Sequence, residues 1–176
     1  KNYGEYTFHY WIWKNYINNL SENWIGFCQY RKFWTIENYE NKNLSLKILP
    51  SIVLQNIPNN FQNYEVILGE PFFINQRKVM KFFKKGFRLL LKKPQYLFNK
   101  KSRNIKFHFD LMHGENNLKK AIELLDKENR DGFMNYVDSK QYFHPQNMFI
   151  CKSKKLLINY YNTLFPWLEK CEEIFP

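Results

Sequence analysis

A chain of 176 residues that is 44% apolar has enough material for one domain with a proper core. No stretch approaches the roughly 20 uncharged apolar residues a membrane span requires, and His9 and Lys14 break the first apolar run, so neither a transmembrane helix nor a secretory leader is expected. The net charge of +11 is concentrated: twelve of the 27 Lys and Arg residues lie between Pro71 and Phe109 with no Asp or Glu among them, leaving 15 basic against 16 acidic groups elsewhere.

The chain does not begin with Met, and a further N-terminal portion is expected before Lys1. Asn2 and Glu5 have the spacing of a helix capping box. Tyr6, Tyr10, Trp13, Ile17 and Leu20 then recur at three- and four-residue steps, the signature of one helix face. Trp24-Ile-Gly-Phe-Cys28 reads as a short strand. It runs into a polar, cationic stretch of Gln29, Tyr30, Arg31 and Lys32. Residues 35–63 are Asn-rich with Pro50 and Pro58, mostly loop, with one short helix near Ile48–Leu54. Tyr64–Leu68 is a second strand.

The basic segment 72–106 reads as helix up to Lys93, where Pro94 ends it. Helices are expected over Glu115–Leu125 and, shorter, over Asn129–Val137, followed by a third strand at Asn147–Cys151. Ser153 caps a last helix carrying Leu156, Leu157, Tyr160, Leu164 and Leu168, which Pro166 should kink or interrupt. Strands alternating with helices indicate an α/β fold with a mainly parallel sheet, formed by one domain over 1–176. Cys28, Cys151 and Cys171 are odd in number and lack CxxC spacing, which fits a reducing cytoplasm better than a disulfide framework or a zinc site.

No P-loop, dinucleotide-binding glycine loop, GxSxG, HExxH or Asp-x-Asp occurs. Three polar constellations remain. Gln29, Tyr30, Arg31 and Lys32 stand at the carboxyl end of a strand, where α/β sheets bind ligands, and Arg31 offers a bidentate fork for phosphate. The alternative there is a solvated loop. His144 and Asn147 lead into the third strand, with Pro145 between them; a surface or capping histidine is the alternative. Asp110, His113 and Glu115 form a mixed cluster just ahead of a helix, suited to acid–base chemistry or metal binding, or else to helix capping. His9, inside the first helix, is structural. The segment 72–106 interleaves cations with Phe82, Phe83, Phe87, Leu89, Leu90 and Leu91, the pattern of an element lying on an anionic membrane surface. A solvated cationic face and a nucleic-acid site are the alternatives.

Tyr10-Trp-Ile-Trp-Lys-Asn15, then Gly26, Cys28, Tyr30 and Arg31, then Asn147-Met-Phe-Ile150 resemble, in order and type, the motifs of a glycosyltransferase-like family of bacterial capsule and exopolysaccharide clusters, long filed as a domain of unknown function. Glu5 and Thr7 also match the first motif. The resemblance implies a GT-A-like fold, of which this chain would be the C-terminal majority, with 72–106 as a basic amphipathic insertion. It implies transfer of a sugar from a nucleotide-sugar donor to a glycan or lipid-linked acceptor, with Mn or Mg dependence left open. Arg31, His113 and Asp110 become the expected catalytic residues; Gln29, Tyr30, Lys32, His144, Asn147 and Met148 become the expected donor- and substrate-binding ones. A cytoplasmic protein held at the inner face of the bacterial inner membrane is expected, with no nucleic-acid partner. A non-catalytic glycan- or nucleotide-binding module, or an RNA-binding protein using 72–106, is the rival reading. One departure stands out: Gln29 replaces the family's histidine, and an amide cannot transfer a proton.

Overall fold

The computed structural model describes residues 3–20, 22–30, 32–35, 45, 47–76 and 80–175, with the backbone alone over 80–85. Arg31, Asn2 and Lys78 lie outside the described residues, and so do the side chains of Phe82 and Phe83. Contacts divide the chain into two compact units, one of residues 1–69 and 146–163, the other of 70–145 and 164–176.

The first unit opens with helix α1 (Tyr6–Trp11), which widens into a π turn over Ile12–Tyr16 and ends in a 3-10 turn at Ile17–Asn19. The widened turn explains which side chains are buried. His9, Ile12 and Ile17 face inward, and the five-residue step from Ile12 to Ile17 is the period a π turn imposes. Strands β1 (Ile25–Gly26), β2 (Val66–Leu68) and β5 (Phe149–Cys151) form a three-stranded sheet with β5 in the middle. A short helix, α2 (Leu49–Ile52), falls where one was expected. The first turns of α8 (Lys154–Ile174) return to this unit, with the Ser153 hydroxyl accepting from Leu156 N–H at its start.

The expected mainly parallel sheet is corrected here: Ile25 pairs with Cys151 and Gly26 with Ile150, while Val66, Ile67 and Leu68 pair with Cys151, Ile150 and Phe149, all antiparallel. β1 and β2 do share a direction, but β5 separates them. Alternation of strands and helices along a chain fixes which elements exist; it does not fix pairing when the central strand arrives last.

The second unit is mainly helical. Strands β3 (Phe72–Phe73) and β4 (Tyr142–Phe143) make a two-stranded antiparallel ribbon. Helices α3 (Met80–Lys92), α4 (Gln95–Phe98), α5 (Ile105–His113), α6 (Asn117–Glu123) and α7 (Lys127–Ser139) lie between them in sequence. The helix expected from 72 therefore begins later, after a strand, and Pro94 separates α3 from α4 as expected. α5 was not anticipated. Its cap is clear in the structure: Asn104 Oδ1 accepts from Phe107 N–H at 2.8 Å, and Asn104 Nδ2 donates to the Asp138 carbonyl.

α5 serves two apolar clusters. Phe107 and Leu111 pack with Ile74, Leu89 and Leu90, while Ile105 and Phe109 pack against Leu118, Ile122, Leu125 and Val137. The basic segment thus contributes Leu89 and Leu90 to the core. Gly86 is where α3 meets α5: a Cβ there would sit 2.1 Å from Leu111 Cδ1. Arg103 is buried as deeply as any apolar residue, donating to the Tyr96 and Leu97 carbonyls and closing the ends of α4. Pro166 lies inside α8, which runs through it without interruption.

Candidate functional site

In the first unit, antiparallel pairing brings two of the sequence motifs to one place. Beyond β1 the ladder goes on, with Phe27 N–H donating to the Phe149 carbonyl at 2.9 Å. Two residues beyond that bond on each strand stand Gln29 and Asn147. Both amides turn to one carboxylate: Gln29 Nε2 donates to Glu5 Oε2 at 2.7 Å, and Asn147 Nδ2 donates to the same oxygen at 3.3 Å. Glu5 occupies the N-cap position of α1, yet its side chain makes no capping bond. The expected capping box with Asn2 falls outside the described residues; the Glu5 carboxylate joins three chain segments.

The surroundings keep this junction in register. Gln146 adopts φ +85°, a left-handed backbone rarely taken by a residue with a side chain, immediately before Asn147. One helical turn from Glu5, His9 is buried against Phe27 and Phe149, its Nδ1 2.7 Å from the Tyr161 hydroxyl. Burial lowers the His9 pKa to about 4, so the imidazole is neutral at physiological pH. Burial pushes the Tyr161 hydroxyl above the usual phenol range. Of the Tyr10–Asn15 run, Trp13 Nε1 donates to Asn162 Oδ1 at 2.9 Å, Lys14 Nζ sits 3.7 Å from the Trp13 ring centroid, and Asn15 Nδ2 donates to the Trp11 carbonyl. These motif residues hold α1 in place.

After β1, Lys32 N–H donates to the Gln29 carbonyl at 3.1 Å. Tyr30 is 87% exposed, and Lys32 is exposed. Met148 is half-buried between Asn147 and β5. On the other face of β1, Trp24, Gly26, Trp34, Leu54, Asn56 and Ile150 line a cavity of about 280 Å³. An exposed cationic stretch suits an anion, and an indole-lined hollow with amides at its rim suits a planar or ring-shaped ligand.

The remaining expected site residues belong to the second unit, where most polar groups already have work in the fold. Asp110 is buried on α5; Lys106 Nζ approaches its Oδ2 at 2.8 Å and Asn116 N–H donates to its Oδ1 at 3.1 Å, so it holds the turn from α5 to α6. His113 is the exposed last residue of α5, its ring 4.5 Å from Phe109, and Gly114 at φ +96° ends the helix. Asp110 and His113 thus lie at the end of one helix and ahead of the next. Glu115 pairs with Lys93 at 2.5 Å, and that bond holds its carboxyl below the usual range and the Lys93 ammonium above its own. His144 is half-buried with its ring edge toward Tyr142. A shallow hollow of about 630 Å³ runs along Gly86, Arg88, Asp110, Met112 and Glu115. Among the described residues, no three His, Cys, Asp or Glu side chains gather as a metal site would require.

Glu5 is the residue that sequence reasoning left out of the site. The signal was present in the acidic residue that opens the first motif, but its spacing from Asn2 drew it into a capping role.

The mixed α/β architecture with small antiparallel sheets is similar to that of a solved glycosyltransferase. WbbM, a bifunctional glycosyltransferase solved in its apo form, superimposes with a TM-score of 0.51 over 99% of this chain at 16% identity. This chain spans 29% of that one, and at such identity the likeness is one of fold. Residues 1–175 match the domain of unknown function DUF4422, and the chain belongs to that family. No curated protein sequence matches it.

Proposed function

We propose that the chain forms part of a glycosyltransferase of GT-A-like type, which moves a sugar from a nucleotide-sugar donor to a glycan or lipid-linked acceptor of a bacterial surface polysaccharide. The observation that supports this most is the convergence of Gln29 and Asn147 on Glu5, beside the cationic stretch through Tyr30 and Lys32. In transfer, the acceptor hydroxyl oxygen bonds to the anomeric carbon while the bond from that carbon to the diphosphate breaks, and the hydroxyl proton passes to the departing diphosphate or to water. The departing diphosphate gathers negative charge, and Arg31 and Lys32 are assigned to stabilise it. Gln29 can hold a substrate group but cannot take the acceptor's proton. His113 and His144 are assigned to acceptor contact, and Asp110 to holding the turn after His113. The full-length protein, incubated with UDP-, GDP- and dTDP-sugars, should bind or hydrolyse at least one of them, and Arg31→Ala should abolish that binding with the fold intact. Absence of any response, or unchanged binding by the variant, overturns the proposal.

The same proposal places the protein at the inner membrane leaflet through α3 and α4. Phe87, Leu91 and Phe98 are 54, 65 and 86% exposed, and Arg88 and Lys92 stand exposed among them. No helix among the described residues is long and apolar enough to cross a membrane. Co-sedimentation with phosphatidylglycerol vesicles, lost on Phe98→Ser with Leu91→Ser, is the expected result. Equal retention of the variant, or no binding to anionic vesicles, contradicts it.

A further inference from the structure

The bonds at Glu5 determine which end of each neighbouring amide is available to a ligand. A carboxylate offers only acceptors, whereas a side-chain amide carries a donor NH2 at one end and an acceptor oxygen at the other. Gln29 and Asn147 both spend an N–H on Glu5 Oε2, at 2.7 and 3.3 Å. Turning either amide over would set its carbonyl oxygen against the carboxylate, replacing a charge-assisted bond with a repulsion. The amide oxygens therefore point away from Glu5. Two features of the backbone hold the pair side by side: the antiparallel register past β1 and β5, and the left-handed Gln146 just before Asn147. Gln29 and Asn147 are half-buried, whereas Glu5 and Tyr30 are exposed.

We infer that the Glu5–Gln29–Asn147 junction is a hydroxyl-recognising subsite, in which two amide oxygens aimed by Glu5 accept from the hydroxyls of a sugar. A phosphate brings only acceptor oxygens and negative charge, which the Glu5 carboxylate repels; a sugar ring brings several O–H donors. The junction thus takes the glycosyl part of the ligand, and the diphosphate is left to the cations of the adjoining stretch. Glu5 is a positioning residue in this scheme. It touches no substrate and acts by fixing the orientation of its two neighbours. The inference rests on the glycosyltransferase reading above, but its test separates the two.

Calorimetric titration of the full-length protein would compare UDP with UDP-glucose and UDP-galactose, GDP with GDP-mannose, and dTDP with dTDP-rhamnose. Each sugar nucleotide should bind more tightly than its parent diphosphate if its sugar fits, and that ratio is the quantity to follow. Gln29→Met, nearly the same shape without the amide, should reduce the ratio about tenfold while diphosphate affinity changes less than about twofold. Asn147→Leu provides an independent second reading, and circular dichroism reports whether either variant is folded. Glu5→Gln, which lets both amides turn over, should lower the ratio by a smaller factor and leave diphosphate binding equal or stronger. Equal loss of diphosphate and sugar nucleotide in Gln29→Met and Asn147→Leu, or an unchanged ratio in Glu5→Gln, overturns the inference while leaving the proposed function standing. If no nucleotide binds the wild type, the proposed function fails, and ligand-observed NMR with free glucose, galactose and mannose decides the subsite. Contact that disappears in Gln29→Met supports it, and no contact overturns it.

Discussion

The two units treat their polar residues in opposite ways. In the unit of 70–145 and 164–176, charge is absorbed by the fold: Arg103 closes α4, Asp110 holds the turn after α5, and Glu115 ties Lys93. In the unit of 1–69 and 146–163, the buried side chains are apolar or aromatic with a neutral His9, and Gln29, Asn147 and Glu5 meet just past the ends of two short strands. A buried, fully partnered charge is costly to move and a poor reagent; a partly exposed amide pair can meet a ligand at a smaller desolvation cost than a buried charge. On the proposed function the donor is assigned to the first unit, even though the second holds more of the ionisable residues that sequence reading favours.

This contrast can be broken most severely at Arg103. Arg103→Ala removes the donors from the Tyr96 and Leu97 carbonyls and leaves a cavity, and should cost roughly 3 kcal/mol in chemical denaturation. A loss below about 1 kcal/mol would show that the guanidinium is not a structural part of the second unit.

His9 offers an effect of similar size read by pH. Its folded pKa of about 4 lies below the unfolded value near 6.5, so the unfolded chain binds the proton first as pH falls. Stability should be fully present above pH 6.5 and should decline by about 3 kcal/mol as pH falls from 6.5 through about 4. Denaturation midpoints measured across that range should show the slope, and His9→Phe should flatten it. An equally steep slope in the variant would assign the effect to other groups.

Gly86→Ala is the smallest of the three. The new methyl would collide with Leu111 at the contact of α3 and α5, and a loss of about 1–3 kcal/mol is expected in thermal unfolding. No loss would mean that Leu111 turns aside easily and that this contact is loosely packed.

Much of the element order was legible. The Ser153 cap, the apolar face of α8 and the strand at Phe149–Cys151 are strong local signals, and the structure contains them. Pairing direction was not legible. Strands of two or three residues carry no alternation from which to read it, and β1 finds its partner more than a hundred residues later. α5 was missed because Phe107, His108 and Phe109 in succession obscure its helical period, and its cap, Asn104, adjoins a run of cations. Pro166 does not interrupt α8, which continues through it, with Phe165 and Trp167 packed on either side in sequence. For the site, motif order led to Gln29 and Asn147, but only the antiparallel register could reveal that Glu5 joins them.

The central claim is that donor recognition resides at the Glu5 junction of the first unit. Amide hydrogen exchange of the full-length protein, with and without a saturating sugar nucleotide, tests it most directly. New protection at residues 26–30 and 146–149, with little change over 105–117, is the predicted result. Protection confined to 105–117, with 26–30 and 146–149 unaltered, would contradict the account.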